Sequence, residues 1–120
     1  MIKRVVIAGS RHYSNYTEAK LYIEDCLSQV IEGNTVIIIS GGAVGADMIG
    51  EQYADERGIE IEKYPALWDK YGKKAGPIRN RQMAQVCDIA ICFWDGKSKG
   101  TMSMINYAKR LGKEVFVKYI

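Results

Sequence analysis

Three short loops that contain glycine carry most of the residues able to bind a charged ligand. They span residues 9–11 (GSR), 40–47 (SGGAVGAD) and 95–101 (DGKSKGT). Glycine leaves backbone N–H groups uncovered, and a helix that begins beside them adds the positive end of its dipole, so this pattern favours a phosphate or another anion. A single loop of this kind would equally serve as a tight turn in which glycine relieves backbone strain. Three of them in one chain favour an anion site.

Two arginines extend this set of polar residues. Arg11 and Arg79 offer forked N–H donors that match the oxygens of a phosphate group. The predicted ligand-binding residues are therefore Gly9, Ser10, Arg11, Ser40, Gly41, Gly42, Gly45, Asp47, Arg79, Asn80, Gly96, Gly100 and Thr101.

Two familiar nucleotide-binding motifs are absent. The chain has no GxGxxG, the usual dinucleotide fingerprint. Residues 96–98 (GKS) imitate the end of a P-loop, but Ile91 stands where the first glycine of that motif belongs. We therefore do not expect an ATPase or a GTPase.

Asp47 and Asp95 are the carboxylates that these loops offer for catalysis, with Arg79 as the anchor of a substrate. Cleavage of a glycosidic bond needs a carboxylate that stabilises the developing positive charge or activates water. Each aspartate also has a plainer interpretation, because Asp47 in the first turn of a helix favours the helix dipole and Asp95 suits a turn. A catalytic role for these three residues is a hypothesis that competes with simple binding.

The spacing of apolar residues predicts five strands and four longer helices in alternation. Strands are expected at residues 3–8, 36–40, 59–64, 88–94 and 114–119. Asn15 is predicted to cap the first helix, Pro77 to begin the third and Thr101 to cap the last. This alternation is typical of an α/β fold with a doubly wound, parallel five-stranded sheet and helices on both faces. Ligands of such sheets bind beyond the carboxyl ends of the strands, where the three glycine-containing loops should meet.

Length and composition restrict the class of protein further. The 120 residues, 48% apolar and 26% charged, predict a single domain over residues 1–120 with an ordinary core. No apolar run is long enough to span a bilayer or form a signal peptide, so we expect a cytoplasmic protein without membrane contact. The three cysteines form no CxxC pair and there is one histidine, His12, so no metal site is expected. A net charge of +3 is too mild to predict nucleic-acid binding by itself.

Residues 65–77 (PALWDKYGKKAGP) interrupt the regular pattern. Connections of this length are often functional loops, and this one mixes the aromatic Trp68 and Tyr71 with the basic Lys73 and Lys74. Either the segment closes over a ligand, or it is a solvated surface loop in which Trp68 covers the core. The sequence leaves both interpretations open.

Several blocks of the chain resemble one known family. They are AGSR at residues 8–11, GGAxGAD at 41–47, AGPIRNRxM at 75–83, DxAxxF at 88–93 and GT at 100–101. Together they resemble the YspA/YpsA-related SLOG family, from the superfamily that includes the LOG phosphoribohydrolases and the DprA/Smf proteins. The resemblance implies a Rossmann-like fold, the strand order 3-2-1-4-5, a nucleotide-derived ligand with no certain cofactor, and a homo-oligomer.

The resemblance also bears on catalysis. Arg79 lies where the phosphoribohydrolases carry their catalytic arginine, and Gly100 and Thr101 match the end of their glycine motif. Those enzymes place a glutamate two residues after the threonine, whereas this chain has Ser103 there. Hydrolysis by the familiar arrangement is therefore in doubt.

Three functions remain as hypotheses. The favoured one is binding of a nucleotide or derivative, such as a compound like ADP-ribose or a nucleoside monophosphate, in a sensor role. The first alternative is an N-glycosidic hydrolase or phosphoribohydrolase. The second is single-stranded nucleic-acid binding, prompted by the relation to DprA/Smf and by four loop lysines; we regard nucleic acid as the less favoured partner. These lysines are Lys73, Lys74, Lys97 and Lys99.

Overall fold

The computed structural model describes residues 1–120, which alternate between strands and helices. The strands are β1 (Ile2–Gly9), β2 (Thr35–Ser40), β3 (Glu60–Lys63), β4 (Ile89–Trp94) and β5 (Glu114–Tyr119). The α-helices are α1 (Tyr16–Leu27), α2 (Ala46–Arg57), α3 (Trp68–Tyr71), α4 (Ala75–Val86) and α5 (Lys99–Arg110). No helix combines the length and the apolar character that crossing a bilayer requires.

All five strands lie parallel in one sheet, in the order β3-β2-β1-β4-β5. Val5 of β1 lies opposite Ile38 of β2 on one side and Ile89 of β4 on the other. The parallel α/β sheet predicted from the alternation is confirmed, and so is the strand order implied by the family resemblance. The strand order reverses between β1 and β4, so the loops that follow these two strands run in opposite directions from this point. Ligands of open α/β sheets bind at such a point.

The sheet separates two hydrophobic clusters. Val5 and Ile7 pack with α1 and α2 on one face, while Val6 and Ala8 pack with α4 and α5 on the other. Successive side chains of a strand point to opposite faces, so a strand buried on both faces is a continuous apolar run. This confirms the prediction of helices on both faces and explains why β1, β2 and β4 lack polar alternation.

Two predicted helix starts are wrong, and both errors have a local cause. α4 begins at Ala75 instead of Pro77, because proline is tolerated throughout the first turn, where the helix has no use for its missing N–H. α5 begins at Lys99 and is capped by Ser98, whose side chain accepts a hydrogen bond from the Thr101 amide. Thr101 therefore lies inside the helix, whereas Asn15 caps α1 as predicted.

The segment at residues 65–77 is more ordered than its sequence indicates. It forms α3, a 3₁₀ turn at Gly72–Lys74 and the first residues of α4. Trp68 is about half exposed, at 51%, and a Cβ on Gly76 would lie 3.4 Å from its ring. Trp68 thus rests on the start of α4 while leaving much of its ring in solvent.

Candidate functional site

The loops that follow β1, β2 and β4 meet at one cleft beyond the carboxyl ends of these strands. The cleft has a volume of about 90 Å³, and the start of α4 forms one of its walls. Seven predicted site residues line it: Gly9, Arg11, Asp47, Arg79, Asn80, Gly100 and Thr101. The chain folds so that residues up to 92 positions apart in sequence face one small space.

The size of the cleft limits what it can enclose. Its volume is about 90 Å³. Pockets that enclose whole small molecules are typically about 300–1,000 Å³. The cleft can therefore enclose a group the size of a phosphate, while the rest of a nucleotide would lie outside its mouth.

The loop after β1 is built by close contact with β4. The Ser10 amide donates to the Phe93 carbonyl at 3.0 Å, and a Cβ on Gly9 would lie 2.3 Å from that same oxygen. Ser10 is buried, and its hydroxyl accepts a hydrogen bond from the His12 amide. Gly9 and Ser10 thus hold the loop against the sheet, and Arg11 is the exposed member of the loop that faces the cleft.

The turn between β2 and α2 is packed against the loop after β1. Gly45 has φ +81°, and a Cβ there would lie 2.3 Å from the Ser10 carbonyl oxygen. That carbonyl accepts the Ala46 amide at 3.2 Å. The glycine at position 45 is therefore required both by its backbone conformation and by the close approach of a second loop.

Some of the backbone amides of this turn are used within the chain. The Gly42 amide donates to the Ser40 hydroxyl at 3.1 Å, and the Ala43 amide donates to Oδ2 of Asp47 at 3.2 Å. Ser40 in turn donates to Glu51 at 2.7 Å. Two of the amides expected to receive an anion, those of Gly42 and Ala43, thus have acceptors already, one of which is a carboxylate.

Asp47 is the carboxylate that faces the cleft. Only 6% of the residue is exposed, and burial raises its pKa to about 6, although the Ala43 amide and the charge of Arg79 act in the opposite direction. Arg79 forms no ion pair with it. A buried aspartate with this pKa can exchange a proton near neutral pH, as acid–base catalysis requires.

Arg79 and Asn80 come from the first half of α4. Nη1 of Arg79 donates to the Gly41 carbonyl at 2.7 Å, and its Nε donates to Oδ1 of Asn80 at 2.9 Å. Asn80 donates to the Gly100 carbonyl at 3.2 Å, which links α4 to α5. Burial lowers the pKa of Arg79 and the nearby charge of Arg11 acts in the same direction, while Asp47 opposes both.

The turn between β4 and α5 is held together from outside the cleft. Oδ1 of Asp95 accepts the amides of Lys97 and Ser98, both at 2.8 Å, and these bonds lower the pKa of Asp95. Asp95 is exposed and does not line the cleft. The structure therefore separates the two candidate carboxylates, since Asp47 faces the cleft and Asp95 shapes a turn.

The N-terminus of α5 faces the cleft without an acidic residue in its first turn. Ser98 accepts the Thr101 amide, but an α-helix cannot pair the amides of Lys99 and Gly100 within itself. The Thr101 hydroxyl lies 3.2 Å from the Ser98 hydroxyl. These groups, with Arg11 and the unbonded N–H groups of Arg79, are donors on which an anion in the cleft can draw.

Several predicted residues lie outside the cleft lining. Besides Asp95, they are Ser10, Ser40, Gly41, Gly42, Gly45 and Gly96. Gly41 lies directly behind Arg79, because a Cβ there would be 2.5 Å from Nη1, and Gly96 has φ +80° in the turn that Asp95 closes. The structure thus gives these residues roles in supporting the cleft. Ser103 does not line it either.

Sequence reasoning missed five lining residues, which are Ala8, Ala43, Met83, Ser98 and Met104. The signal for Ser98 was present, since a serine three residues before Thr101 has the spacing of a helix cap. The apolar residues carry no chemical signal of their own. No group of three or more His, Cys, Asp or Glu side chains in residues 1–120 is arranged to hold a metal ion.

Solved structures share this fold. DNA processing protein A (DprA) from Streptococcus pneumoniae superposes with a TM-score of 0.74 at 22% identity, covering 98% of this chain and 50% of its own. DprA from Helicobacter pylori, which has a described single-stranded DNA binding mode, superposes with a TM-score of 0.71 at 22% identity. The superposition covers 96% of this chain and 64% of that protein. The structural genomics target TM1055 superposes with a TM-score of 0.66 at 21% identity, and the superposition covers 96% of this chain and 72% of that protein. The chain spans about half the length of the first DprA protein, and the likeness at this identity is one of fold.

Sequence comparison is more specific. The Gene 61 protein of Mycobacterium phage D29 is 32% identical over 117 residues, which cover 92% of each protein. Residues 3–71, more than half of the chain, match the family described as YAcAr, the YspA, cpYpsA-related SLOG family. This match contains both the loop after β1 and the turn after β2. The chain therefore belongs to the YspA, cpYpsA-related SLOG family.

Proposed function

We propose that this chain binds the phosphate-bearing end of a nucleotide or nucleotide derivative in the cleft, as a ligand sensor. The observation that carries the proposal is the meeting of two guanidinium groups, Arg11 and Arg79, with the unpaired amides of α5 in one small space. Neither arginine forms an ion pair within the chain. Asp47 offsets part of the repulsion between these two like charges, and an anionic ligand between them would offset more of it.

The orientation of α5 supports the same proposal. An α-helix N-terminus combines free N–H donors with a positive dipole end, and phosphate groups bind there in many proteins. Lys97 and Lys99 add positive charge beside this end of the helix. A phosphate in the cleft would therefore meet donors from two sides, namely α5 and the two arginines.

Calorimetric titration with AMP, NAD, ADP-ribose and inorganic phosphate tests the proposal. Arg79→Gln should weaken binding of the best ligand by about 10- to 100-fold, because hydrogen bonds to a charged group are worth ~1.5–3 kcal/mol. Arg81→Gln is the matched control, since Arg81 is exposed on the same helix and absent from the cleft. Absence of binding for all four compounds, or equal weakening by both variants, would contradict the proposal.

A hydrolase remains the second candidate because Asp47 is buried beside the cleft with its pKa raised to about 6. In this function Asp47 would take the role of the glutamate that the phosphoribohydrolases carry at the position of Ser103, and Arg79 would anchor the substrate. Asp95 lies outside the cleft, so this candidate function does not use it. Incubation of concentrated protein with nucleoside monophosphates should then release free base, and Asp47→Asn should abolish the release. No release above background excludes this function.

Single-stranded nucleic acid is a third candidate, favoured by one specific surface. α3 and the following 3₁₀ turn present the exposed rings of Trp68 and Tyr71 beside Lys70, Lys73 and Lys74. Aromatic rings with basic neighbours are the usual means of binding single strands. Affinity for an oligonucleotide that falls steeply with salt, and falls again in Trp68→Ala, would support it. No binding at low salt would exclude it.

We also propose that the protein acts as a homo-oligomer in a reducing, cytoplasmic compartment. Exposed apolar side chains at Val44, Leu67 and Trp68 offer surface for a second copy, and the three cysteines are free. Sedimentation velocity at micromolar concentration tests the assembly, and a monomer at all concentrations would contradict it.

A further inference from the structure

The two edges of the sheet differ in how well they resist pairing with another chain. At one edge, β3 is four residues long and three of them are charged. At the other edge, β5 is six residues long and contains a run of three apolar residues, Val115, Phe116 and Val117. Short, charged edge strands are protected against pairing, whereas longer apolar ones favour it. β5 is therefore the edge that offers a site for a further strand.

The outer edge of β5 has free backbone groups. β5 pairs with β4 alone, and just beyond its end the Ile120 amide donates to the Trp94 carbonyl at 3.0 Å. The backbone groups of successive residues point alternately to the two sides of a strand, so those of Val115 and Val117 point away from β4. No other strand of the chain pairs with them. These groups are available to a partner strand.

Both faces of the sheet are incompletely covered at this edge. Phe116 packs against the cluster that contains α1 and α2, whereas Val115 and Val117 pack against the cluster that contains α4 and α5. All three side chains are only partly buried. Beside Phe116, a groove of about 410 Å³ lies between β5 and α1 and is lined by Tyr22 and Cys26 among others. A further strand at this edge would cover apolar surface on both faces.

The side chains of β5 are complementary to a second copy of the same strand. In an antiparallel pair centred on Phe116, Glu114 of each copy lies opposite Lys118 of the other, and Val115 lies opposite Val117. Neither Glu114 nor Lys118 forms an ion pair within the chain. Opposite charges and matched apolar side chains are the cross-strand pairs that stabilise a sheet. Charge complementarity therefore favours a second copy as the partner.

The backbone also selects this register. Val115 and Val117 both direct their groups outward, so they can form a hydrogen-bonded pair, while Phe116 lies opposite its own copy at the closer, non-hydrogen-bonded position. A slip of one residue would place outward groups opposite inward ones. A slip of two residues keeps the hydrogen bonds but places Glu114 or Lys118 opposite Phe116. Only the register centred on Phe116 satisfies the backbone and the charges together.

We propose that two copies of the chain pair antiparallel through β5, centred on Phe116, so that their two sheets become one. This inference rests on the proposed homo-oligomer and assigns its interface to β5, in place of the exposed apolar side chains at Val44, Leu67 and Trp68. Because the paired strands run in opposite directions, the two clefts lie at opposite ends of the joined sheet.

Sedimentation equilibrium at micromolar concentration tests the charge pairs. Glu114→Lys should raise the Kd of the dimer by at least about ten-fold, because it places like charges opposite each other. The double variant Glu114→Lys with Lys118→Glu restores opposite charges and should return the Kd to within about three-fold of the wild type. Glu60→Lys is the matched control, since it makes the same charge change at an exposed position of β3, and it should leave the Kd unchanged.

Oxidative cross-linking tests the register. In the proposed pair, position 116 faces its own copy with about 4.5 Å between Cα atoms, a separation that a disulfide can span. Mild oxidation of Phe116→Cys should therefore link two copies. Cys26→Ser serves as the background, because Cys26 is the native cysteine that is not fully buried. Val117→Cys is the control, since position 117 faces Val115 of the other copy, and it should form far less of the linked dimer.

The possible failures are distinct. If the wild-type protein is a monomer at all concentrations, the proposed homo-oligomer fails and this inference fails with it. If the wild type is a dimer that Glu114→Lys leaves intact, or that Leu67→Ser separates, only this inference is overturned. It is also overturned if Phe116→Cys forms no linked dimer. Circular dichroism checks that each variant is folded.

Discussion

The two turns that lead into α2 and α5 have similar sequences but opposite relations to the cleft. The β2–α2 turn, at residues 40–47, has the stronger glycine motif, yet its Gly42, Ala43 and Ala46 amides donate to acceptors within the chain. The β4–α5 turn, at residues 95–101, has the weaker motif, and its Asp95 accepts the Lys97 and Ser98 amides from outside the cleft, so the first amides of α5 remain unpaired. Each turn therefore contains an aspartate that accepts backbone amides, but only Asp47 of the β2–α2 turn faces the cleft.

Glycine has a different function in each turn. Gly45 permits the β2–α2 turn to touch the loop after β1, where a Cβ would lie 2.3 Å from a carbonyl oxygen. Gly96 and Gly100 have no atoms within 4 Å of an added Cβ. Gly42 is likewise open, so the β2–α2 turn combines closely packed glycines with an open one, whereas both glycines of the β4–α5 turn are open.

The largest expected difference between the turns is in stability. Gly45→Ala should lower the free energy of unfolding by at least roughly 3 kcal/mol, because it combines a strained φ with a clash against backbone atoms. Gly96→Ala has a similar φ of +80° but open space, and should cost only about 1–2 kcal/mol. Urea denaturation of both variants measures the difference, and equal losses would show that the contact between the two loops is unimportant.

The two aspartates should respond to pH in opposite ways. The pKa of Asp47 is raised from 3.8 to about 6, so the folded state holds its proton more tightly and the stability due to this group falls as pH rises through this range. Asp47→Asn removes that loss and should stabilise the protein by on the order of 2–3 kcal/mol at about pH 8 and by almost nothing near pH 4.

Asp95 provides the contrasting case. Its pKa is lowered by the amides of Ser98 and Lys97, so its stabilising effect is present above about pH 4 and is lost as the pH falls further. Asp95→Asn should therefore be less stable than the wild type at neutral pH. Thermal unfolding of both variants between about pH 4 and 8 provides the measurement. If Asp47→Asn were less stable than the wild type at pH 8, the raised pKa of Asp47 would be contradicted.

The smallest expected effect concerns helix capping. α5 has a side-chain cap, Ser98, whereas α2 begins after Gly45 without one. Ser98→Ala should destabilise the protein by about 1 kcal/mol and also change phosphate affinity, because Ser98 lines the cleft. Asn15→Ala, which removes the cap of α1, should cost a similar amount and leave phosphate affinity unchanged. If Asn15→Ala also changed phosphate affinity, the effect of Ser98→Ala on affinity would be due to lost stability and not to a contact in the cleft.

The fold was largely predictable because its signals are local. The apolar runs of β2 and β4 and the helical spacing in α1 report burial directly, and the alternation of elements leaves few possible topologies. The predictions failed at Pro77 and Thr101, where a proline or threonine fits several positions of a first helical turn. The partly helical segment at residues 65–77 was missed for a related reason, since a helix of four residues has no periodic pattern to detect.

The membership of the candidate site was predictable in part, and its geometry was not. Residue types alone identified Arg11, Asp47, Arg79, Gly100 and Thr101, and the structure brings all five to one cleft. They could not separate Asp47 from Asp95, because both aspartates follow a strand near a helix start. Nor could they reveal that Ser40 lies behind the cleft with its hydroxyl bonded to Glu51.

By itself, the sequence determined the parallel sheet, the helices on its two faces and the three loops at one end, because burial and backbone freedom depend on the type and spacing of nearby residues. Only the tertiary structure decided which backbone amides remain available, since Ser10, Ser40 and Asp47 satisfy some of them across the loops. It also decided that Asp47 faces the cleft beside Arg11 and Arg79, whereas Asp95 lies outside it. Hydrogen-bond partners and desolvation depend on distances between residues far apart in the chain, which no local pattern records.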